Sequence, residues 1–197
     1  MICTDIPTFL KRWPFYLVFL ILITGCSVKG SFQGLYSYFD RTAKMQPFII
    51  QRPPGNICNL LSAEAPIVYP INGLDLRGCL EEIEMALVYI WRPNCSSSVC
   101  ISPTIAQVHC EKSSIELFVV AEYYDYERMS FRHSTKRPVF GIDCHFYGNN
   151  LTKKYVTQFL SDLVGVETMP GNYFFLFRKG SLISVAGSLD KIQFPAY

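Results

Sequence analysis

Two strongly apolar runs constrain the fold of this chain more than any other feature. The run at 85–91 (MALVYIW) is apolar throughout, and the run at 115–121 (IELFVVA) is apolar except for Glu116. Both lack the alternation of apolar and polar residues found in a strand with one exposed face. Runs of this length, rich in Val, Ile and aromatic residues, are typical of strands that helices cover on both faces. We therefore predict an α/β fold with a central sheet between two layers of helices.

The other predicted elements are shorter and lie on both sides of these runs. In chain order they are a strand at 66–73, a helix at 74–84, a helix at 99–112 interrupted by Pro103, a strand at 138–147, a helix at 151–164, and a β-hairpin formed by 173–177 and 182–186. Gly165 stands where the helix at 151–164 would be capped.

The N-terminus has the organisation of an export signal. Lys11 and Arg12 precede an apolar run at 15–23 (FYLVFLILI), which is followed by Thr24-Gly25-Cys26. A membrane-spanning helix needs about 20 apolar residues, whereas signal-peptide cores have roughly 7 to 15. The order resembles a bacterial lipobox, so we expect cleavage after residue 25 and acylation of Cys26 with a palmitate-type chain. An ordinary cysteine in a secretory or transmembrane signal is the alternative.

This signal predicts both the location and the domain organisation. We expect a signal peptide at 1–25, a tether and irregular lead-in at 26–65, and one domain at 66–197, anchored by lipid in the bacterial cell envelope on its periplasmic or other extracytoplasmic side. Without Lys11, Arg12 and Asp5, the 18 basic and 16 acidic residues become 16 and 15. This near-zero charge does not favour a nucleic-acid partner.

Cysteine content is the next constraint. Of the eight cysteines, Cys3 lies in the signal and Cys26 is the predicted lipid site, which leaves Cys58, Cys79, Cys95, Cys100, Cys110 and Cys144. Six cysteines in an exported protein allow 15 pairings, and spacing alone does not select one. Cys58 and Cys79 either join the lead-in to the domain or are unrelated thiols, while Cys110 and Cys144 are expected in the core. Because C-x2-C pairs are absent from the sequence, a zinc site is not expected.

The segment Trp91-Arg92-Pro93-Asn94-Cys95 ends a predicted buried strand and precedes a predicted helix. A thiol at a helix start has a lowered pKa because the positive end of the helix dipole stabilises the thiolate. Cys95 is therefore the candidate reactive cysteine.

The positions of Trp91, Cys95 and Pro103, followed by Met169-Pro170 before the hairpin, resemble the thioredoxin superfamily, and the lipoprotein signal matches its extracytoplasmic thiol-disulfide oxidoreductases. The resemblance covers roughly residues 85–190. It implies a thioredoxin-like sheet, an attacking thiolate at Cys95, and a cis-proline at Pro170 that positions the substrate beside Trp91 and the active sulfur.

The second cysteine of the family's motif falls on Ser98 here, and Cys100 follows two residues later. In one regular helix, Cys95 and Cys100 would be about 7.5 Å apart along the axis, beyond the roughly 7 Å Cα separation that a disulfide spans. A resolving role for Cys100 therefore requires local unwinding, and the alternative is a single-thiol site. Some peroxiredoxins use a C-x4-C pair, but Arg92 replaces their threonine, which argues against peroxidase chemistry.

Two functions from different classes follow. The first is thiol-disulfide exchange on the thiols or disulfides of exported proteins, with Cys95 and Cys100 as the redox group and no organic cofactor. The second is a non-catalytic thioredoxin-fold lipoprotein that binds a protein or envelope component. Copper held by Cys95, Cys100 and His145 is a weaker hypothesis because copper-carrying relatives use a three-residue cysteine spacing, and no metal is expected.

Overall fold

The computed structural model describes residues 34–97, 99–165 and 171–194. These residues form a six-stranded mixed sheet with helices on both faces, which confirms the predicted α/β class. Some of the features predicted from the sequence lie outside the described residues. They are the signal peptide at 1–25, Cys26, Ser98 and Pro170.

The helices and strands alternate along most of the described chain. In order they are α1 (Phe39–Met45), a 3-10 turn (Ile57–Asn59), β1 (Val68–Ile71), α2 (Gly73–Glu81), β2 (Ala86–Trp91), α3 (Pro103–Lys112), β3 (Glu116–Ala121), α4 (Tyr126–Met129), β4 (Val139–Ile142), α5 (Thr152–Val164), β5 (Phe174–Arg178), β6 (Ser181–Ala186) and a second 3-10 turn (Leu189–Lys191).

The strands are arranged in the order β1-β4-β3-β2-β5-β6. The first four are parallel to one another, so that their carboxyl ends meet at one edge of the sheet. β5 pairs with β2 in the antiparallel direction, and β6 pairs with β5 as the predicted hairpin. Because β5 runs in the opposite direction, its first residues lie beside the carboxyl end of β2.

Alternate side chains of β2 enter two separate cores. Leu87, Tyr89 and Trp91 belong to the core beneath α3 and α4, whereas Val88 and Ile90 belong to the core beneath α2 and α5. This two-sided burial explains why the run at 85–91 has no polar positions, since successive side chains in a strand point to opposite faces.

The prediction of a helix over 99–112 is wrong at its N-terminus. α3 begins at Pro103, and the side chain of Ser102 caps it by accepting a hydrogen bond from the Ile105 amide at 3.3 Å. Proline suits the first helical position because its missing N–H would have no partner there and its φ angle is already helical. Pro103 therefore starts this helix instead of interrupting it.

The lead-in from residue 34 onward packs against the sheet and is more regular than expected. It contains α1 and the first 3-10 turn, and Ile50 forms a parallel bridge with Val68 at the β1 edge. Ile49 is buried in the core beneath α3, and the Val68 amide donates to its carbonyl at 2.7 Å. This segment therefore covers one edge of the sheet.

Cys58 and Cys79 form a disulfide, which settles the alternative that the sequence left open. Their Cα atoms are 5.2 Å apart, and the bond joins the first 3-10 turn to α2 across 21 residues. Both side chains are buried, so this bond links the lead-in to the core beneath α2 and α5. Within the described ranges, no helix has the length and apolar composition needed to cross a membrane.

The contact between α2 and α5 generates a stability prediction. A Cβ atom added at Gly73 would lie 2.3 Å from the Phe159 carbonyl oxygen of α5, whereas one added at Gly78 on the same helix would meet nothing within 4 Å. We expect Gly73→Ala to lower the free energy of unfolding by about 1–3 kcal/mol through overpacking. The matched control Gly78→Ala should raise it by about 0.5–1 kcal/mol because alanine favours helix.

Urea unfolding at constant protein concentration measures both free energies. Equal changes in the two variants would show that α2 does not pack closely against α5.

Candidate redox site

The candidate site is the loop at 92–102, which joins the carboxyl end of β2 to α3. Ligands and substrates of open α/β sheets generally bind outside the carboxyl ends of the strands, where connecting loops converge. The start of β5 reaches the same edge, because the Ile90 amide donates to the Tyr173 carbonyl at 2.8 Å. The loop thus lies beside residues 171–173, which precede β5.

Cys95 and Cys100 form a disulfide within this loop, and their Cα atoms are 5.8 Å apart. Both side chains are half-buried, and neither residue belongs to a helix. The irregular backbone brings closer two cysteines that a regular helix would hold beyond disulfide distance. The expected helix start at Cys95 is wrong for the same reason, since the first residue of α3 comes eight positions later.

Arg92 fixes the first residues of the loop. Its guanidinium forms an ion pair with the buried carboxylate of Glu122, which follows β3, and also lies 4.5 Å from the centre of the Tyr173 ring. Burial opposes the charge, but the hydrogen bond and negative charge of Glu122 raise the pKa of Arg92. The Arg92 carbonyl accepts a hydrogen bond from the Cys95 amide at 3.2 Å. Cys95 is therefore tied directly to a residue held by two neighbouring strands.

Asn94 ties the loop to the start of α4. Its amide donates to the Tyr123 hydroxyl at 3.1 Å, and its side-chain oxygen accepts from Arg128 Nε at 3.1 Å. Its side-chain nitrogen donates to Asp125, whose other carboxylate oxygen caps α4 by accepting from the Arg128 amide at 2.9 Å. The residues before Cys95 are thus held by both polar and ionic contacts with the β3–α4 connection.

The far end of the loop is held separately. Tyr89, buried in β2, donates its hydroxyl hydrogen to the Ile101 carbonyl at 2.8 Å. Between the two anchored ends, Ser96, Ser97 and Val99 are exposed. Ser97 Oγ lies 3.3 Å from Cys95 Sγ and 3.5 Å from Cys100 Sγ. The sulfurs therefore sit in an exposed segment with fixed ends.

Trp91 lies immediately below the loop and is buried. Its ring makes an edge-on contact with the His133 imidazole, with 4.8 Å between ring centres. Burial lowers the pKa of His133, which favours the neutral imidazole against this apolar surface. Trp91 therefore lies in the core beneath α3 at the start of the loop. Its predicted position beside the sulfur of Cys95, as a substrate-positioning residue, remains a prediction.

Cys110 and Cys144 have unpaired thiols, and both are buried as expected. Burial raises the pKa of Cys110 to about 12, and it also raises the pKa of Cys144. Because the thiolate is the nucleophile, these two sulfurs are unreactive at neutral pH in the folded protein.

The three histidines lie in different contacts. His109 packs against Phe194, His133 against Trp91, and His145 forms an ion pair with Asp40 at 3.3 Å. In the part of the chain that the structure describes, no group of three or more His, Cys, Asp or Glu side chains is arranged to hold a metal ion.

Arg92 also lines a cavity of about 350 Å³. Ile90, Val156 and Leu160 supply apolar walls, and Arg92 and Glu122 supply charge. This volume lies within the range of roughly 300–1,000 Å³ of protein ligand pockets. Sequence reasoning missed the cavity because its walls come from β2, the residue after β3, α5 and the residues before β5, which only the tertiary fold brings together.

Comparison of the chain with protein-family models, with curated proteins and with solved structures finds no match. Function is therefore inferred from the fold and from the site itself.

The different burial of the two disulfides predicts selective reduction. Under native conditions a low concentration of a phosphine reductant should open Cys95–Cys100 first, because Cys58 and Cys79 are buried. Alkylation and peptide mass spectrometry should then find label at Cys95 and Cys100, with Cys58, Cys79, Cys110 and Cys144 unlabelled until denaturant is added. Early labelling of Cys58 or Cys79 would contradict this order.

Proposed function

We propose that this protein is a thioredoxin-like thiol-disulfide oxidoreductase that acts on exported proteins through Cys95 and Cys100. The observation that carries the proposal is the half-exposed disulfide in an irregular loop whose two ends are fixed. Accessible disulfides exchange readily with thiols because a thiolate can approach along the S–S axis, whereas buried ones are structural. No organic cofactor is needed because the cysteine pair carries the two electrons.

In the reducing direction, the Cys95 thiolate attacks one sulfur of a substrate disulfide. A Cys95–substrate bond forms, the substrate S–S bond breaks, and the other substrate sulfur leaves as a thiolate that takes a proton from solvent. The Cys100 thiolate then attacks Cys95 Sγ, releasing the second substrate thiolate and forming Cys95–Cys100. Two electrons pass from the protein dithiol to the substrate, and the same steps in reverse oxidise a substrate dithiol.

The anchoring of the loop supports this mechanism. Cys95 follows the segment tied to Glu122, Asp125 and Tyr123, so the backbone that carries its sulfur is held in place. Cys100 precedes Ile101, whose carbonyl accepts the hydrogen bond from Tyr89. Two thiols carried by one short loop with fixed ends suit a reaction in which a mixed disulfide on one sulfur is resolved by the other.

Three further features support a polypeptide substrate outside the cytoplasm. Disulfides are retained mainly in oxidising compartments, and the described chain contains two. The order of residues before Cys26 favours lipid attachment to a bacterial envelope membrane. The cavity lined by Arg92, which lies three residues before Cys95 in the chain, has the size and apolar walls to accept a side chain of a substrate. Pro170 and Trp91 are proposed as positioning residues.

The exchange proposal is tested with single cysteine variants. Cys100→Ser should accumulate a mixed disulfide between Cys95 and a protein substrate, because the resolving thiol is missing. Cys95→Ser should form no such adduct, since its hydroxyl is not a nucleophile at neutral pH. Non-reducing electrophoresis with a disulfide-bonded model protein measures the adduct in each variant, and Val99→Ala, at the exposed neighbour of Cys100, is the control.

If the wild-type protein neither exchanges disulfides nor forms an adduct at Cys95, the enzyme proposal is wrong. The alternative of a non-catalytic binding protein then gains support, because the same loop would serve as a binding surface.

The proposed anchoring has its own test in the full chain. Cys26→Ser should block processing or release the protein from membranes, because the acyl acceptor is absent. Mass spectrometry of membrane-extracted wild-type protein should find a mature chain that starts at acylated Cys26. A mature chain that keeps Lys11, or that carries an unmodified Cys26, would contradict lipidation.

A further inference from the structure

We propose that the Ser97 hydroxyl stabilises the thiolates released from the Cys95–Cys100 disulfide and thereby makes this pair a stronger oxidant of substrate dithiols. The inference rests on the proposed function, and it adds a catalytic residue that the sequence did not indicate. Ser97 is thereby expected to shift the equilibrium between the Cys95–Cys100 disulfide and the dithiol toward the dithiol.

The geometry singles out Ser97 within the loop. Its Oγ lies 3.3 Å from one sulfur and 3.5 Å from the other, so that a single hydroxyl serves both. A hydroxyl carries one hydrogen on a bond that rotates freely, so it can donate to whichever sulfur bears the negative charge. The loop keeps Ser97 there because the Cys100 amide donates to the Ser97 carbonyl at 3.0 Å.

The usual sources of thiolate stabilisation act less directly on this pair. The first residue of α3 comes eight positions after Cys95, and the helix dipole acts only within about the first turn. The nearest cation along the chain, Arg92, is already paired with Glu122 and lies over the Tyr173 ring. A hydrogen bond to the charged form lowers a pKa, and Ser97 supplies one donor that can reach either sulfur.

The role of Ser97 can be followed through the oxidising reaction. A substrate thiolate attacks Cys95 Sγ, a substrate–Cys95 bond forms, and the Cys95–Cys100 bond breaks. Its electron pair goes to Cys100 Sγ, which leaves as a thiolate and accepts the Ser97 hydrogen bond. A second substrate thiol, as its thiolate, then attacks the bridging substrate sulfur, forming the substrate disulfide and releasing the Cys95 thiolate to the same hydroxyl.

This arrangement favours the reduced form of the protein pair. Stabilising the dithiol or thiolate form relative to the disulfide raises the reduction potential, so the pair draws electrons from its substrate more strongly. A hydrogen bond to a charged group is strong enough to change such an equilibrium by about tenfold. For a two-electron couple a tenfold change corresponds to about 30 mV.

The test compares Ser97→Ala with Ser97→Thr, which keeps the hydroxyl, and with Ser96→Ala, which removes an exposed neighbouring hydroxyl. Two quantities are measured in each folded protein: the pH dependence of the alkylation rate at Cys95 and Cys100, and the equilibrium constant with reduced and oxidised glutathione. Ser97→Ala should raise the pKa of the more reactive thiol by about one unit and lower the equilibrium constant for reduction about tenfold. Ser97→Thr should stay close to wild type.

Equal values for Ser97→Ala and wild type would overturn the inference, and so would equal shifts in Ser97→Ala and Ser96→Ala, which would indicate a general effect on the loop. Both measurements use small reagents, so they do not require a protein substrate. If wild type fails to exchange with proteins while Ser97→Ala still shifts both quantities, the proposed function fails and the role of Ser97 stands. If exchange occurs and neither quantity shifts, the proposed function stands and the role of Ser97 fails.

Discussion

The burial of β2 on both faces is the constraint on which the rest of the structure depends. Its side chains alternate between two cores, and burial of each large apolar side chain contributes about 1.5–3 kcal/mol. A shift of one residue in its pairing with β3 or β5 would exchange every side chain between the two cores. The register is therefore fixed, and with it the point at which Arg92 leaves the sheet.

In the loop after β2, polar side-chain contacts fix the backbone, because the described residues of the loop contain no regular secondary structure. The buried Glu122 carboxylate requires a partner, because an isolated buried charge is costly, and Arg92 supplies it. Asn94 and Asp125 extend the same connection to α4. The shape of the disulfide loop is thus determined largely by the segment that follows β3, far away in sequence. Cys95 is held by these contacts although it belongs to no helix.

The sequence predicts the strands and helices better than it predicts the contacts that hold the disulfide loop. The strands β2 and β3, the helix α5 and the final hairpin follow from local apolar patterns, and the structure confirms them. The start of α3 was missed because Val99 and Ile101 extend the apolar pattern across the loop, although Ser102-Pro103 carries a helix-start signal. Cysteine pairing and the contacts of Ser97 depend on tertiary geometry, which spacing does not encode.

The fold also determines which cysteines can meet, and this matters wherever thiols are oxidised during folding. Cys110 lies in the core beneath α3, whereas Cys144 lies in the core on the opposite face of the sheet. The sheet separates these two thiols, and burial keeps both protonated. Cys58 and Cys79 share the second core and are already joined there. The native fold thus holds two disulfides and two unpaired thiols, which is none of the 15 complete pairings that six cysteines allow. Of the two bonds, only the one in the β2–α3 loop is half-exposed. Among the described cysteines, Cys95 and Cys100 are therefore the two that solvent reaches, because the other four are buried in the two cores.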